Sequence, residues 1–222
     1  MKTQSRPTLE TSTELFLELV ELSAELSTVL AREGIVVDCS PLTVRGAFDL
    51  LEVEEQATYV DRFRFFVSVI ASAPQADPLA EQRYTWHVLK MLKVRPPSDL
   101  FQFVEPGDYI EIYDQSGIQV FRNFGFCRIV TYTFHELLMY PWTSLYERDA
   151  AVTEKIHGAI GRVMGSTKTI HDLGIEKHLC REKTSTKVYE VEMKYFAPLF
   201  NDQNQAQFFI AGSSIKRVDV DA

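Results

Sequence analysis

Tyr109-Ile110-Glu111-Ile112-Tyr113-Asp114-Gln115-Ser116-Gly117-Ile118-Gln119-Val120-Phe121 is where the grammar of this sequence changes. Residues 109–113 alternate with period two, the repeat of a strand with two different faces. Asp114 to Gly117 are turn residues, and Ile118 to Phe121 resume the strand pattern, so the stretch predicts a β-hairpin. Downstream, Lys187 to Phe196 and Gln207 to Val218 read as two more strands, with the polar turn Asn201-Asp202-Gln203-Asn204 between them. Between early and late strands the spacing predicts short helices over Thr133 to Leu138 and Trp142 to Tyr146, and a longer one over Asp149 to Val163.

Upstream of Pro96-Pro97 the periodicity is helical. Thr11 with Glu14 matches a capping box, and the segment they open is expected to stop at Gly34. Within it Leu15, Leu19, Leu22, Leu26 and Val29 are spaced 4, 3, 4, 3, a heptad seam that suits either packing inside a domain or a dimer interface. Phe16, Val20 and Leu30 widen the stripe. Ser40-Pro41 predicts a capped helix start, with Val44, Ala47, Phe48 and Leu51 on one face. A third helix is expected from Glu54 to Ala71, closed by Pro74, and a fourth opens at Asp77-Pro78. These readings divide the chain into a flexible tail (1–10), a helical domain (11–97) and a sheet domain (98–222), an α+β protein in which a helical bundle precedes an antiparallel sheet with short helices.

Bulk properties exclude several classes. Hydrophobic residues make up 45% and charged residues 24%, a balance that supports a packed core. The net charge is −8, and both halves share the sign, so the basic face of a phosphate-binding protein is missing and nucleic acid is not a favoured partner. Three cysteines without a CxxC pair fit a reducing compartment and no zinc site. There is no secretory leader and no apolar run near 18 residues, so no membrane role and a cytoplasmic location are expected.

The order hairpin, short helices, long helix, antiparallel strands resembles a PAS domain over about residues 105–218. Asp114-x-x-Gly117 is similar to the family's first turn, and Asn123 falls where PAS sequences commonly place an asparagine after the second strand. Thr133-Phe134-His135-Glu136-Leu137-Leu138 resembles the family's "x-x-x-E-L-L" helix, and Trp142 to Asp149 the later segment that ends in an acidic residue. Val191-Glu192-Met193, Tyr195 to Leu199, and Ala211 to Ile215 resemble the closing strands. The glycines after His157 (158, 161, 165 and 174) depart from the pattern and put the regularity of the long helix in doubt. The N-terminal helices resemble no named family.

The resemblance implies a non-catalytic sensing or adaptor protein in signal transduction. It would have a protein partner and a small-molecule ligand; the heptad seam, read by itself, adds a homodimer through Leu15, Leu19, Leu22, Leu26 and Val29. The implied pocket contains Phe121, Asn123, Phe126, Tyr132, Trp142, His157 and Tyr195. The cofactor stays undetermined. Haem would need a histidine such as His157, His171 or His178, while flavin chemistry would use Cys127, which the surrounding residues do not favour. His171, Asp172 and His178 fit no standard metal spacing, and no hydrolase, P-loop, Rossmann or zinc-protease motif occurs. Two alternatives remain. One is a small enzyme or ligand-binding protein on a cone-shaped curved sheet like that of ketosteroid-isomerase relatives, with Asp172, Glu190 or Glu192 as acid or base. The other is a transcription regulator using Ser40 to Ile70 as a helix-turn-helix, opposed by the acidic residues there.

Overall fold

The structure, a computed structural model, describes residues 9–32, 34–72 and 80–218. The described residues form two compact units, those within 1–72 together with 132–139, and those within 73–131 together with 140–222.

In the first unit, α1 (Leu9–Arg32) packs on α3 (Val53–Ala71). Helix α1 takes in Leu9 and Glu10, which the expected tail included, and Thr11 lies inside the helix instead of capping it; residues 1–8, the rest of that expected tail, lie outside the described residues. Gly34 does end the helix: Ile35 N–H reaches back to Leu30 O at 3.0 Å. The expected second helix is broken into a 3-10 turn (Pro41–Val44) and one turn of α2 (Arg45–Phe48). Ser40 caps the turn by accepting from Leu42 N at 3.3 Å, as its place before Pro41 predicts. A helix-turn-helix needs two full helices, and α2 supplies one turn.

Of the heptad residues, Leu19 and Leu26 are fully buried, whereas Leu15, Leu22 and Val29 are half-buried. The seam therefore belongs largely to the core of its own unit, beside Phe48, Phe63 and Phe66. α6 (Phe134–Met139) belongs to this unit as well. Its His135 is completely buried, stacked on Phe63 with ring centroids 4.3 Å apart. Tyr59 OH lies 2.7 Å from His135 Nδ1, and Ser23 Oγ lies 2.9 Å from Nε2.

The second unit holds α4 (Ala80–Met91), the hairpin β1 (Tyr109–Asp114) and β2 (Gln119–Arg122), and the short helices α5 (Phe124–Cys127) and α7 (Trp142–Leu145). It continues through β3 (Tyr146–Glu147), α8 (Ala150–Met164), β4 (His178–Glu182), β5 (Val188–Phe200) and β6 (Ala206–Val218). One antiparallel sheet results, in the order β2-β1-β6-β5-β4-β3. The predicted hairpin closes through Asp114, whose Oδ1 accepts from Ser116 N and Ile118 N at 2.9 and 3.0 Å. Gly117, at φ +76°, supplies the left-handed turn position.

The expected boundary near residue 97 falls inside this unit, because α4 is laid on one face of the sheet. Tyr84 meets Phe121 edge to face at 5.2 Å, and Arg95 exchanges backbone hydrogen bonds with Phe200 at 2.8 and 2.9 Å. The start expected for α4 at Asp77-Pro78, and Pro74, lie outside the described residues. On the other face, α8 packs Ile156, Ala159 and Val163 against Phe196, Phe209 and Ala211. α8 is a regular 15-residue helix capped by Asp149, whose carboxylate accepts from Ala151 N at 2.8 Å. Gly158 and Gly161 face open space and do not disturb it. No described helix is long and apolar enough to cross a membrane.

Candidate ligand-binding site

The two sheet faces sort the candidate residues. Strand pairing aligns Glu111 with Arg122 and Tyr113 with Gln119 on the α8 side, and Ile112 with Phe121 on the α4 side. Two adjoining cavities lie on the α8 side, each with about 30 Å³ of free space, room for one or two waters. They share Glu111, Tyr113, Arg148 and Met193. One extends toward Phe126, Cys180 and Tyr189, the other toward Trp142, Ile156 and Phe209.

Charge is organised around one ion pair. Arg122 is buried to 1% side-chain exposure and Glu111 to 12%, with Nη2 3.3 Å from Glu111 Oε1. Gln119 joins them, accepting from Arg122 Nε at 2.7 Å and donating to Glu111 Oε1 at 2.5 Å. The Arg122 guanidinium also covers the Phe126 ring at 4.5 Å. Tyr113 stacks on Phe209 at 5.2 Å. Burial pushes the Tyr113 and Tyr146 phenols up, so both stay neutral in this apolar setting.

At the β4 edge, Glu182 is completely buried yet satisfied. It accepts from Thr131 N at 2.9 Å, Tyr189 OH at 2.8 Å, Ser185 Oγ at 2.5 Å, and the Thr131 hydroxyl. Burial alone would raise its pKa, but the donors from Ser185, Thr131 and Tyr189 outweigh that and hold it below the usual 4.5. Four donors on one carboxylate make a structural pin, with no lone pair left for proton abstraction. Burial pushes the Cys180 thiol up to about 11, with Arg148 opposing, so it is no nucleophile at neutral pH.

Only part of the expected pocket converges. Phe126 and Trp142 line the cavities. Phe121 lies on the α4 side. Tyr195 is buried beside Gly212, which pairs with Ile110 on that same side. Asn123 closes the hairpin end by donating Nδ2 to Asp108 O at 2.7 Å. Tyr132 falls in the first unit. His157 is exposed on α8, 5.2 Å from the Trp142 ring.

His171 is exposed and stacks on Phe103 at 5.0 Å, while the Asp172 carboxylate accepts from Gly174 N at 3.3 Å. No group of three His, Cys, Asp or Glu among the described residues is placed to hold a metal ion. The Cys127 side chain lies outside the described residues. Glu190 is exposed and Glu192 pairs with Lys177 at 3.1 Å, and neither lines the two cavities. Sequence reasoning missed Glu111, Gln119, Arg122 and Arg148. The signal was present: Glu111 shares its strand face with Tyr109 and Tyr113, two aromatic neighbours that suit a covered face.

In the second unit a first hairpin is followed by intervening helices and four further antiparallel strands, the element order that the PAS resemblance implies. The chain is similar to the PAS-B domain of Drosophila melanogaster Cycle with bound ethylene glycol, at 13% identity over 49% of this chain and 99% of that chain, TM-score 0.39. It is similar to the light-state dimer of the fungal blue-light photoreceptor Vivid at 12% identity, 64% of this chain and 97% of that chain, TM-score 0.42. A light-oxygen-voltage domain with a flavin analogue matches at 18% identity, 50% and 78% coverage, TM-score 0.37. No family model and no curated protein matches the chain.

Proposed function

We propose that this protein is a non-catalytic sensor or adaptor whose PAS-like domain takes a small molecule on the α8 side of its sheet and whose N-terminal helices carry a dimer or partner contact. The observation that carries the reading is the pair of aromatic-walled cavities built around a few fixed polar groups, the usual make-up of a small-ligand site. Dimerisation is supported by α1, where Leu17 and Val20, one turn apart, are 57% and 41% exposed; the half-buried Leu15, Leu22 and Val29 form a separate stripe on the same helix. A ligand acts here by favouring one arrangement of the protein over another.

The test combines native mass spectrometry, light scattering and an absorbance spectrum on freshly purified protein. The expected result is a dimer that Leu17→Glu with Val20→Glu dissociates, together with a retained small molecule or a melting temperature raised by one. A monomer at micromolar concentration, with no retained mass and no stabilising small molecule, overturns the reading.

A further inference from the structure

Arg148 stands apart from the other polar groups of the cavities. It follows β3 directly, lines both cavities, and lies with its guanidinium 5.0 Å from the Trp142 ring centroid and 5.4 Å from that of Tyr146. Its Nε and Nη1 are buried and meet no hydrogen-bond acceptor among the described residues. The other cation there, Arg122, is matched by Glu111 and Gln119. Glu182, the remaining carboxylate on this face, is occupied by Thr131, Ser185 and Tyr189. His178 shares the inward face of β4 with Cys180, and burial, with Arg148 contributing, lowers its pKa, so it adds no second positive charge. Two buried N–H donors of a half-buried cation are thus left without an acceptor in aromatic surroundings, a costly arrangement unless a ligand completes it.

We infer that Arg148 anchors the carboxylate of a small monocarboxylic acid whose apolar body lies between the sheet and α8; this rests on the sensor reading above and names its ligand class. A guanidinium presents parallel N–H groups that fit the two oxygens of a carboxylate, and Nη2 forms such a fork with either Nε or Nη1. One unmatched cation selects one negative charge, so a diacid is disfavoured. The free space, about 30 Å³ in each cavity, admits a ligand only once side chains move, so a short branched chain or a single ring is the upper limit, and Met193, unbranched and shared by both cavities, is placed to shift.

The test measures binding by calorimetry and thermal shift on the full chain. Isobutyrate and benzoate are the probes, isobutyramide and benzamide their neutral counterparts, and sodium chloride and inorganic phosphate the bare anions. The acids are expected to bind saturably, and the amides roughly ten- to a hundred-fold more weakly. Arg148→Met is expected to lose that preference while binding benzamide as the parent does, which shows that it still folds; Arg148→Lys keeps part of the preference, having charge without the fork. Equal binding of acid and amide, or an unchanged Arg148→Met protein, overturns the inference and leaves the sensor reading standing. Equal protection by chloride or phosphate overturns it in favour of an inorganic anion site. If no probe, charged or neutral, binds the parent protein, the sensor reading falls with it.

Discussion

The Tyr59 hydroxyl and His135 Nδ1 lie 2.7 Å apart in the core of the first unit, and this contact fixes the tautomer of a fully buried histidine. Ser23 spends its proton on Leu19 O at 2.5 Å, and Cys39 O, 3.2 Å from Nε2, can only accept. Nε2 must therefore carry the hydrogen, and Nδ1 accepts from Tyr59. Tyr59→Phe leaves Nδ1 buried without a donor and is expected to cost about 1–3 kcal/mol. Urea unfolding followed by circular dichroism measures it, and His135→Phe in the same background should recover part of the loss.

The same histidine sets an acid-sensitive window. Burial lowers its pKa from 6.5 to about 4, the contact with Cys39 opposing. The unfolded chain thus binds a proton that the folded chain refuses. Stability from this group is complete above about pH 6.5 and is lost as the pH falls toward about 4, by at most about 3 kcal/mol. Denaturant midpoints across that range in the parent and in His135→Phe should diverge; parallel profiles would refute this assignment.

Glu182 adds a second step at lower pH. Its folded pKa is held below the usual 4.5, so its contribution is present above that value and disappears as the pH falls through the folded one. Glu182→Gln replaces an acceptor of four hydrogen bonds by a group that must also donate. We expect a loss of about 1–3 kcal/mol at neutral pH and a flatter stability profile below pH 4.5, read by thermal melts in acidic buffers.

The Glu111–Arg122 pair should show the asymmetry of buried ions. Glu111→Ala strands a guanidinium that is 1% exposed and is expected to cost about 3 kcal/mol. Replacing both residues by Met removes the stranded charge and should restore much of that stability. A double-mutant cycle in urea checks this, and a double variant weaker than Glu111→Ala would contradict it.

Gly212 is fixed by a close approach. A Cβ at that position would come within 2.0 Å of Tyr195 Cζ and 2.3 Å of its Cε1. Gly212→Ala is therefore expected to cost about 3 kcal/mol or more through overpacking. Tyr195→Phe should give no relief, because the ring carbons remain, whereas Tyr195→Ala should relieve the clash. Comparing the melting temperatures of the three combinations decides it.

Period and punctuation in the sequence alone determined the hairpin at Asp114–Gly117, the helix α8, the long strands β5 and β6, and the change from helices to strands. These are local: a turn aspartate, a capping residue or a two-residue alternation acts within a few positions. The short strands β3 and β4 left too weak a local signal, being two and five residues long. Which face of the sheet holds the cavities was decided only by tertiary structure. Alternation says that Glu111 and Tyr113 share a side, but not that α4 covers one face and α8 the other. With both faces covered, the aromatic residues of the expected pocket divided between them, and Phe121 and Tyr195 fell on the far side. The pairing of Glu111 with Arg122 depends on strand register, and the position of His135 in the first unit on packing against Phe63 and Tyr59. The buried Nε and Nη1 of Arg148 lack an acceptor among the described residues because the folded chain sends Glu111 and Glu182 elsewhere, an outcome of three-dimensional geometry that no spacing along the chain encodes.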